Sequence, residues 1–231
     1  MELKKESMQI LKEKSRAKSQ ITFDEDFNVP DAKPDAGRLI QNKGRIIMDD
    51  VRLTDGKGIL TGNLQVDILY VGEERGIVSS LTAKLPFEET LNLKDIINGD
   101  KMCLKWEIED LTIRLIHSRK LNIKALVTFC ATVDETEQIR LPVALDATDI
   151  SVRKKTVRFL GLTVHKKDTL RIKDEYTIAS NRPDIASLIW YTMDIRGLDL
   201  KPEENVVKAR GELSVFVLYG AEDTEAPVQW L

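Results

Sequence analysis

The sequence predicts a mainly β protein, with two antiparallel β-sandwich-like units in tandem and a short helix after each of two Pro-Asp motifs. Two observations predict this fold. Runs of alternating apolar and polar residues, separated by turn-forming residues, fill most of the 231 positions, and one set of motifs occurs twice. Parallel α/β folds are disfavoured, because parallel strands are joined by crossover helices of about ten residues or more, and no such pattern is visible.

The motifs of the second copy follow those of the first at a constant spacing of 149 residues. Pro34-Asp35 returns as Pro183-Asp184, and Leu69-Tyr70 returns as Leu218-Tyr219. Chance similarity in one short motif would not keep this register. We therefore predict a first unit over residues 1–149, a hinge at Asp146–Asp149, and a second unit over residues 150–231.

The second unit is predicted to be incomplete. Val228-Gln229-Trp230-Leu231 resembles Val78-Ser79-Ser80-Leu81 with one residue inserted, and nothing after it corresponds to Leu85-Pro86-Phe87 or to the two long strands that follow. Either the chain is a fragment of a longer protein or another segment completes the unit. We expect the fragment, because the last strand would leave an open sheet edge.

The amino-terminal residues 1–18 fit either a short amphipathic helix or a strand. Their counterpart, Lys154–Val164, alternates and is rich in β-branched residues, which favours a strand near residues 6–12. A second alternating run follows, with one buried face formed by Ile21, Phe23, Phe27 and Val29 and repeated by Leu170, Ile172, Tyr176 and Ile178.

Pro30 and Pro34 are expected to end this strand, because proline cannot donate a hydrogen bond to a sheet. Asp35 then has two interpretations. It caps a short helix over residues 36–41, with Gly44 as the stop, or it is a carboxylate that binds a partner. The cap explains both Asp35 and Asp184 without a ligand and is favoured.

A meander of antiparallel strands is predicted next. A strand near residues 45–53 leads through the turn Thr54–Gly58, which contains an Asp-Gly pair typical of hairpins, into a strand whose apolar face is Leu64, Val66, Ile68 and Tyr70. A turn at Gly72–Gly76 precedes the strand Ile77–Phe87.

The rest of the first unit is also read as strands, after one helical turn within Leu93–Asp100. The apolar parity of the strand from Met102 switches at Glu109-Asp110, which predicts a β-bulge. A turn at Ser118–Lys120 leads to a long strand over residues 121–133. A turn at Asp134–Glu137 and a strand at Ile139–Leu145 complete the unit.

Composition excludes several classes of protein. The formal net charge is −3, whereas nucleic-acid binding needs a concentrated basic face; Lys154-Lys155 and Lys166-Lys167 are read as solubilising. The amino terminus lacks the apolar stretch of a secretion signal, and no apolar window reaches the length of a membrane span. We expect synthesis in the cytoplasm. Cys103 and Cys130 are read as a reduced, structural pair on one face.

No catalytic constellation is recognisable, so we assign no catalytic, cofactor-binding or metal-binding residue and expect no enzyme activity. Phosphate-binding, dinucleotide, zinc-protease and serine-hydrolase motifs are absent. His117 and His165 are read as turn or surface residues. Calcium binding by Asp24, Asp26 and Asp31 is disfavoured, because their spacing matches no calcium loop. Trp106, Trp190 and Trp230 are read as core residues in preference to a carbohydrate platform.

Val29–Ile40, together with Leu69–Gly72 and Leu85–Glu89, resembles the SPOCS domain of clostridial spore-forming bacteria. The second copy keeps Arg182-Pro183-Asp184 of this pattern. The resemblance implies a non-enzymatic component of the spore envelope, made in the mother cell and placed at the forespore surface. It implies other spore-envelope proteins as partners, among them the sporulation ATPase of the coat basement layer, and self-association. No LysM module of the kind found in some relatives is present.

Three functions follow as hypotheses. The first is scaffolding in coat or exosporium assembly, through protein–protein interaction. The second is a carbohydrate- or peptidoglycan-binding module. The third is hydrolysis by paired carboxylates, drawn from Asp24-Glu25-Asp26, Asp49-Asp50, Glu73-Glu74 and Glu88-Glu89; it is disfavoured, because adjacent residues of a strand face opposite sides.

Overall fold

The computed structural model describes residues 2–74, 76–97, 99–146, 151, 153, 155, 156, 158, 169–222 and 227–231. These residues contain β-strands and no helix. The strands are β1 Glu2–Asn28, β2 Ala36–Thr54, β3 Lys57–Gly72, β4 Val78–Asn92, β5 Met102–His117, β6 Lys120–Asp146, β7 Ser187–Pro202, β8 Val207–Gly220 and β9 Val228–Trp230.

The strands form three antiparallel sheets of three strands each within the described residues. Sheet I has the order β1-β6-β5, sheet II the order β2-β3-β4, and sheet III the order β7-β8-β9. Sheets I and II face each other as a β-sandwich, in which β2 approaches β5 and β1 approaches β4. The mainly β, antiparallel prediction is confirmed.

The core lies between sheets I and II. Leu64, Val66, Ile68 and Tyr70 of β3 are fully buried, as are the alternate residues of β6 from Leu121 to Val133. Burial of these apolar side chains contributes most of the free energy that holds the two sheets together. Across the interface the ring of Phe87 on β4 lies 5.2 Å from that of Phe129 on β6.

The short helices predicted after the Pro-Asp motifs are absent. β2 begins at Ala36 and β7 at Ser187, directly after the motifs, and Gly44 lies within β2. The residues of both segments pair with a neighbouring strand, so the sheet satisfies backbone groups that a helix would have satisfied internally. Residues 93–97 likewise form a turn and no helix.

The turn predicted at Asp134–Glu137 is also wrong. β6 runs through this polar segment without a break, because β1 pairs with it from Glu2 to Asn28. Lys12 on β1 forms salt bridges of 3.7 and 3.5 Å with Glu135 and Glu137. The acidic residues are therefore cross-strand partners of lysine. Residues 2–13 and 134–146 together form a two-stranded ribbon beyond the end of β5.

Several local predictions are confirmed. Residues 6–12 are extended, Gly56 occupies a left-handed turn with φ of 78°, and the pairing of β5 with β6 shifts between Ile108 and Asp110, where the bulge was expected. Ser118-Arg119 forms the turn between β5 and β6.

Sheet III repeats the backbone pattern of sheet II. The register of β2 against β3 shifts after Leu39, and that of β7 against β8 shifts after Leu188. The bond from the Gly72 amide to the Ile77 carbonyl (2.8 Å) returns as the bond from Ala221 to Pro227 (2.8 Å).

The predicted strand at Leu170–Ile178 does not form. This segment corresponds to residues 21–29 of the first unit, but residues 169–179 have no regular structure, and Leu170, Ile172 and Tyr176 are exposed. In the first unit β1 pairs with β6 alone. The described residues of the second unit include no strand equivalent to β6 that could pair with this segment. The hinge residues 147–149, His165, Lys154, Lys166-Lys167 and most of Lys154–Val164 lie outside the described residues.

Candidate protein-interaction site

The first Pro-Asp motif lies in the connection between β1 and β2, which we call the Pro-Asp corner (residues 29–36). Its backbone is tied to the β5–β6 turn at both ends. The Val29 amide donates to the Arg119 carbonyl at 2.9 Å, and the Ala36 amide donates to the Ser118 carbonyl at 2.7 Å. The corner is thereby fixed across the open end of the sandwich.

The side chain of Arg119 donates hydrogen bonds to three acceptors of the corner. It donates to Asp35 Oδ1 at 2.9 Å, to Asp31 Oδ1 at 2.8 Å and to the Lys33 carbonyl at 2.9 Å. Ser118 Oγ donates to Asp35 Oδ2 at 3.1 Å. The hydrogen bond with Asp35 raises the pKa of Arg119 above its ordinary value, so the guanidinium stays charged.

Asp35 is therefore neither a helix cap nor a free carboxylate. Its side chain accepts hydrogen bonds from the β5–β6 turn, while its carbonyl accepts a 2.8 Å hydrogen bond from the Glu73 amide. Charge-assisted bonds of this geometry are stronger than neutral ones. The cap predicted from the sequence is wrong because β2 leaves no helical amides to cap.

Tyr70 anchors the corner from inside the sandwich. Its hydroxyl donates to the Pro34 carbonyl at 2.9 Å, and burial raises the pKa of the phenol. In the second unit Tyr219 is fully buried and donates to the Pro183 carbonyl at 3.3 Å. The link between tyrosine and proline is thus common to both copies.

The second Pro-Asp motif differs in the surroundings of its acid. Asp184 is exposed, and the described residues place no equivalent of the Ser118-Arg119 turn beside it. Arg182, two positions earlier, donates to the Trp230 carbonyl, and its guanidinium lies 5.8 Å from the centre of the Trp230 ring.

The largest difference between the units is the apolar face of sheet III. Leu213 and Val215 of β8 are 48% and 47% exposed, whereas their counterparts Leu64 and Val66 are completely buried. Ile195 of β7 is 67% exposed, whereas Ile46 is 9% exposed. Sheet I covers these positions in the first unit. A contiguous exposed apolar surface of this kind is typical of an interaction site.

The acidic residues considered for calcium are paired with basic ones. Lys124 donates to Asp24 at 2.8 Å and lowers its pKa, and Lys120 does the same for Asp26 at 2.8 Å. Asp31 is held by Arg119. Among the described residues no group of three or more His, Cys, Asp or Glu side chains could hold a metal ion.

Other candidates from the sequence occupy ordinary positions. His117 is exposed at the end of β5, as expected, and accepts a 3.3 Å hydrogen bond from the Arg119 amide. Cys103 and Cys130 are free thiols. In the part of the chain that the structure describes, no helix has the length and apolarity needed to cross a membrane.

The tryptophans only partly follow the prediction of core packing. Trp190 is buried, but Trp106 and Trp230 are exposed. Trp106 pairs with Phe129 and so has the expected parity, yet β5 is an edge strand of sheet I. Trp230 stacks on Phe216 at 6.4 Å between ring centres.

Comparison with protein families gives a match over part of the chain. Residues 35–116 fit the family model described as SipL, SPOCS domain. This family is associated with spore-coat morphogenesis and is not known as a family of enzymes. No curated protein and no solved structure matches the chain. The matched segment starts at Asp35 of the corner and ends in β5, so it includes all of sheet II. Residues 35–116 therefore match the SPOCS domain family, as the resemblance in the sequence indicated.

Proposed function

We propose that this protein is a non-enzymatic scaffold of the spore envelope, in the coat or exosporium, that acts by protein–protein contact. The exposed apolar face of sheet III is the observation that supports this role, because such a surface is stabilised when a partner covers it. The SPOCS match over residues 35–116 supports the proposed biological setting.

The two units, residues 1–149 and 150–231, have different tasks in this role. The first is a closed sandwich that maintains the fold, with Pro34 and Asp35 as a structural corner. The second presents the apolar face, with Pro183 and Asp184 at its end. Other spore-envelope proteins, including the sporulation ATPase of the coat basement layer, are the proposed partners.

Localisation in sporulating cells tests this function. We expect a fluorescent fusion of the full chain to form a shell around the forespore. The variant Leu213→Asp, which charges the face of sheet III, should leave the protein diffuse in the mother cell. Ser214→Asp, on the opposite side of the same strand, is the matched control and should keep the shell. A diffuse signal from the unmodified protein would contradict the scaffolding role.

A second candidate function is binding to carbohydrate or peptidoglycan. The exposed stack of Phe216 on Trp230, with Arg182 beside it, favours this candidate, because aromatic faces offer an apolar surface next to hydrogen-bonding groups. Titration with purified muropeptides, followed by tryptophan fluorescence, tests it. Saturable quenching that Trp230→Ala abolishes would support glycan binding, and an unchanged spectrum would exclude it.

A further inference from the structure

The four sheet edges of the sandwich differ in how they are interrupted. A sheet edge presents unpaired backbone amides and carbonyls, and proteins usually break such edges with prolines or bulges to prevent association. β2, one edge of sheet II, has three register shifts against β3, and β4, the other edge, contains Pro86. β5, one edge of sheet I, has two register shifts against β6. Three of the four edges are therefore interrupted within the sandwich.

β1 forms the fourth edge and is continuous where it belongs to the sandwich. In the part of the chain that the structure describes, it pairs with β6 and with no other strand. Its second register shift lies between Glu13 and Ser15, and from Ser15 to Asn28 the pairing runs without a break. This run contains no proline. Residues 15–28 therefore offer an uninterrupted strand edge to a further strand.

The charges of this run form a self-complementary pattern on the outer face of sheet I. Arg16 and Lys18 lie toward one end, Asp24 and Asp26 toward the other, and all four are exposed. They share a face because they are separated by even numbers of residues. The pattern is symmetric about Ile21. A second β1 strand, antiparallel to the first and centred on the same residue, places each cation opposite an acid.

The inner face of the strand fits the same register. Ile21 packs against the core but remains partly exposed at the edge, and at the centre of the contact it meets Ile21 of the second copy. Phe23 then lies opposite Ser19, and Glu25 lies opposite Ala17. No two like charges face each other on this side of the sheet.

We infer that two copies of this chain associate edge to edge through β1, antiparallel over residues 15–27, so that their two sheets I form one six-stranded sheet. The contact has two-fold symmetry, and each ion pair therefore occurs twice. Backbone hydrogen bonds give the affinity, and the charges select the partner and the register. The inference goes beyond the proposed function, because it uses the edge of sheet I and not the face of sheet III.

Neighbouring registers fit the charges less well. A slip of one residue between the strands would place inner residues opposite outer ones. Centring the contact one residue earlier would put Asp26 opposite Lys14, which is already bound to Asp100 at 2.8 Å. Centring it one residue later would leave Arg16 opposite the uncharged Asn28.

The charged groups remain available to a second copy. Arg16 bonds to Glu13 at 2.9 Å, but both side chains are exposed, and such surface pairs contribute little. Asp24 accepts hydrogen bonds of 2.8 Å from Lys124 and 2.9 Å from Asn122, one on each oxygen. Each carboxylate oxygen can accept a second hydrogen bond.

Sedimentation equilibrium of the full chain measures the dimer dissociation constant and tests the inference. We expect Lys18→Glu to weaken dimerisation about tenfold, equivalent to about 1.4 kcal/mol, because it places like charges together twice in each dimer. Lys105→Glu is the matched control. Lys18 and Lys105 both pair with Cys130, from opposite sides of β6, so the control makes the same charge change at the other edge of the sheet. It should alter the constant by less than about twofold.

A charge exchange tests the register. Asp24→Lys alone should also weaken dimerisation. An equal mixture of the Lys18→Glu and Asp24→Lys chains should dimerise as the unmodified protein does, because a mixed pair again has opposite charges at both contacts. In the neighbouring registers these two positions do not meet, and mixing would restore nothing.

Two further readouts need no change at Asp24 and decide the question if that variant folds poorly. Residues 15–27 should gain protection from hydrogen exchange as the chain concentration rises through the dissociation constant, whereas β5 should gain none. Raising NaCl from about 0.05 M to about 0.5 M should weaken the dimer, because salt screens exposed ion pairs.

The outcomes separate this inference from the proposed function. A chain that stays monomeric at about 0.1 mM, a dimer that Lys18→Glu leaves intact, or residues 15–27 without added protection would overturn the inference. Leu213→Asp should leave the dimer unchanged; if it abolishes the dimer, the copies meet at sheet III and the inference is wrong. A diffuse forespore fusion with an intact β1 dimer removes the scaffold and leaves the dimer.

Discussion

The hydrogen bond between Tyr70 and the Pro34 carbonyl shows how one residue fixes the connection between two strands. The same bond occurs between Tyr219 and Pro183, but it is longer, 3.3 Å against 2.9 Å. Neutral hydrogen bonds at these distances differ in strength, and a buried acceptor that loses its donor carries a further cost. The two units therefore offer a comparison within one chain.

We predict that Tyr70→Phe lowers the free energy of unfolding by about 1 kcal/mol and that Tyr219→Phe lowers it by less. Chemical denaturation of the two variants checks this. The phenylalanine keeps the apolar contacts of the ring, so the comparison isolates the hydroxyl. Equal effects would show that the shorter bond has no special value.

A second prediction concerns Gly44, whose neighbours on β5 leave no room for a side chain. We expect Gly44→Met to destabilise the protein by roughly 1–3 kcal/mol, the usual cost of overpacking a core. The matched control is Met193→Gly at the same position of the second unit. Met193 is exposed, and its replacement should alter stability only slightly. The thermal unfolding midpoints of both variants provide the measurement.

Asp35 and Arg119 show that contacts between distant residues could not be predicted from the sequence. A proline followed by aspartate is a good helix start in isolation, and that local rule led to the wrong assignment. The true partner of Asp35 lies 84 positions away. Arg119 gave one signal, its place in a predicted turn, but nothing local indicated which carboxylate it would meet.

At the scale of single elements, alternation was the most reliable guide. It located the buried faces of β3, β4 and β6 correctly, because a strand between a core and solvent has to alternate. It failed where polar residues fill a strand, as at Asp134–Glu137, since the cross-strand lysine that stabilises them belongs to a distant segment. Pairing partners decide such segments, and alternation carries no information about them.

The Lys14–Asp100 ion pair belongs to this scale, because it ties β1 to the loop between β4 and β5. Lys14 Nζ lies 2.8 Å from Asp100 Oδ2, at the point where the register of β1 against β6 shifts. The lysine, and next the Ile97 amide, lower the pKa of Asp100 below its ordinary value of 3.8.

A carboxylate whose pKa is depressed by folding adds stability above its unfolded pKa and loses it as the pH falls. We therefore predict that Asp100→Asn lowers the unfolding midpoint at pH 7, and that the difference from the unmodified protein shrinks below about pH 4. Glu107→Gln, at an exposed position of β5, serves as the control. A difference that stays constant down to pH 3 would contradict this account.

On the scale of the whole molecule, the described core cluster lies entirely within the first unit, between Ala17 and Val133. We predict that residues 1–146 fold alone and unfold at nearly the same temperature as the sandwich of the full chain. Calorimetry of the shortened chain measures this. A shortened chain without a cooperative transition would show that sheet III supports the sandwich.

The repeat related distant segments of the chain to each other better than any local pattern did. The constant spacing matched sheet III to sheet II residue by residue, including the bulge after Leu188. It also suggested a strand at Leu170–Ile178, which does not form. A repeated sequence forms the same strand only when the strand that pairs with it is present as well.

The two-stranded ribbon of residues 2–13 and 134–146 has a mechanical consequence. About twelve residues per strand, at about 3.3 Å each, give it a length of roughly 40 Å. The register shift beside Lys14 sits at its base, where a bulge makes bending easiest. A tilt of about 5° there would move the far tip by about 3.5 Å over this length. Bending at the register shift, beside the Lys14–Asp100 pair, would therefore displace the far end of the ribbon more than any other part of it.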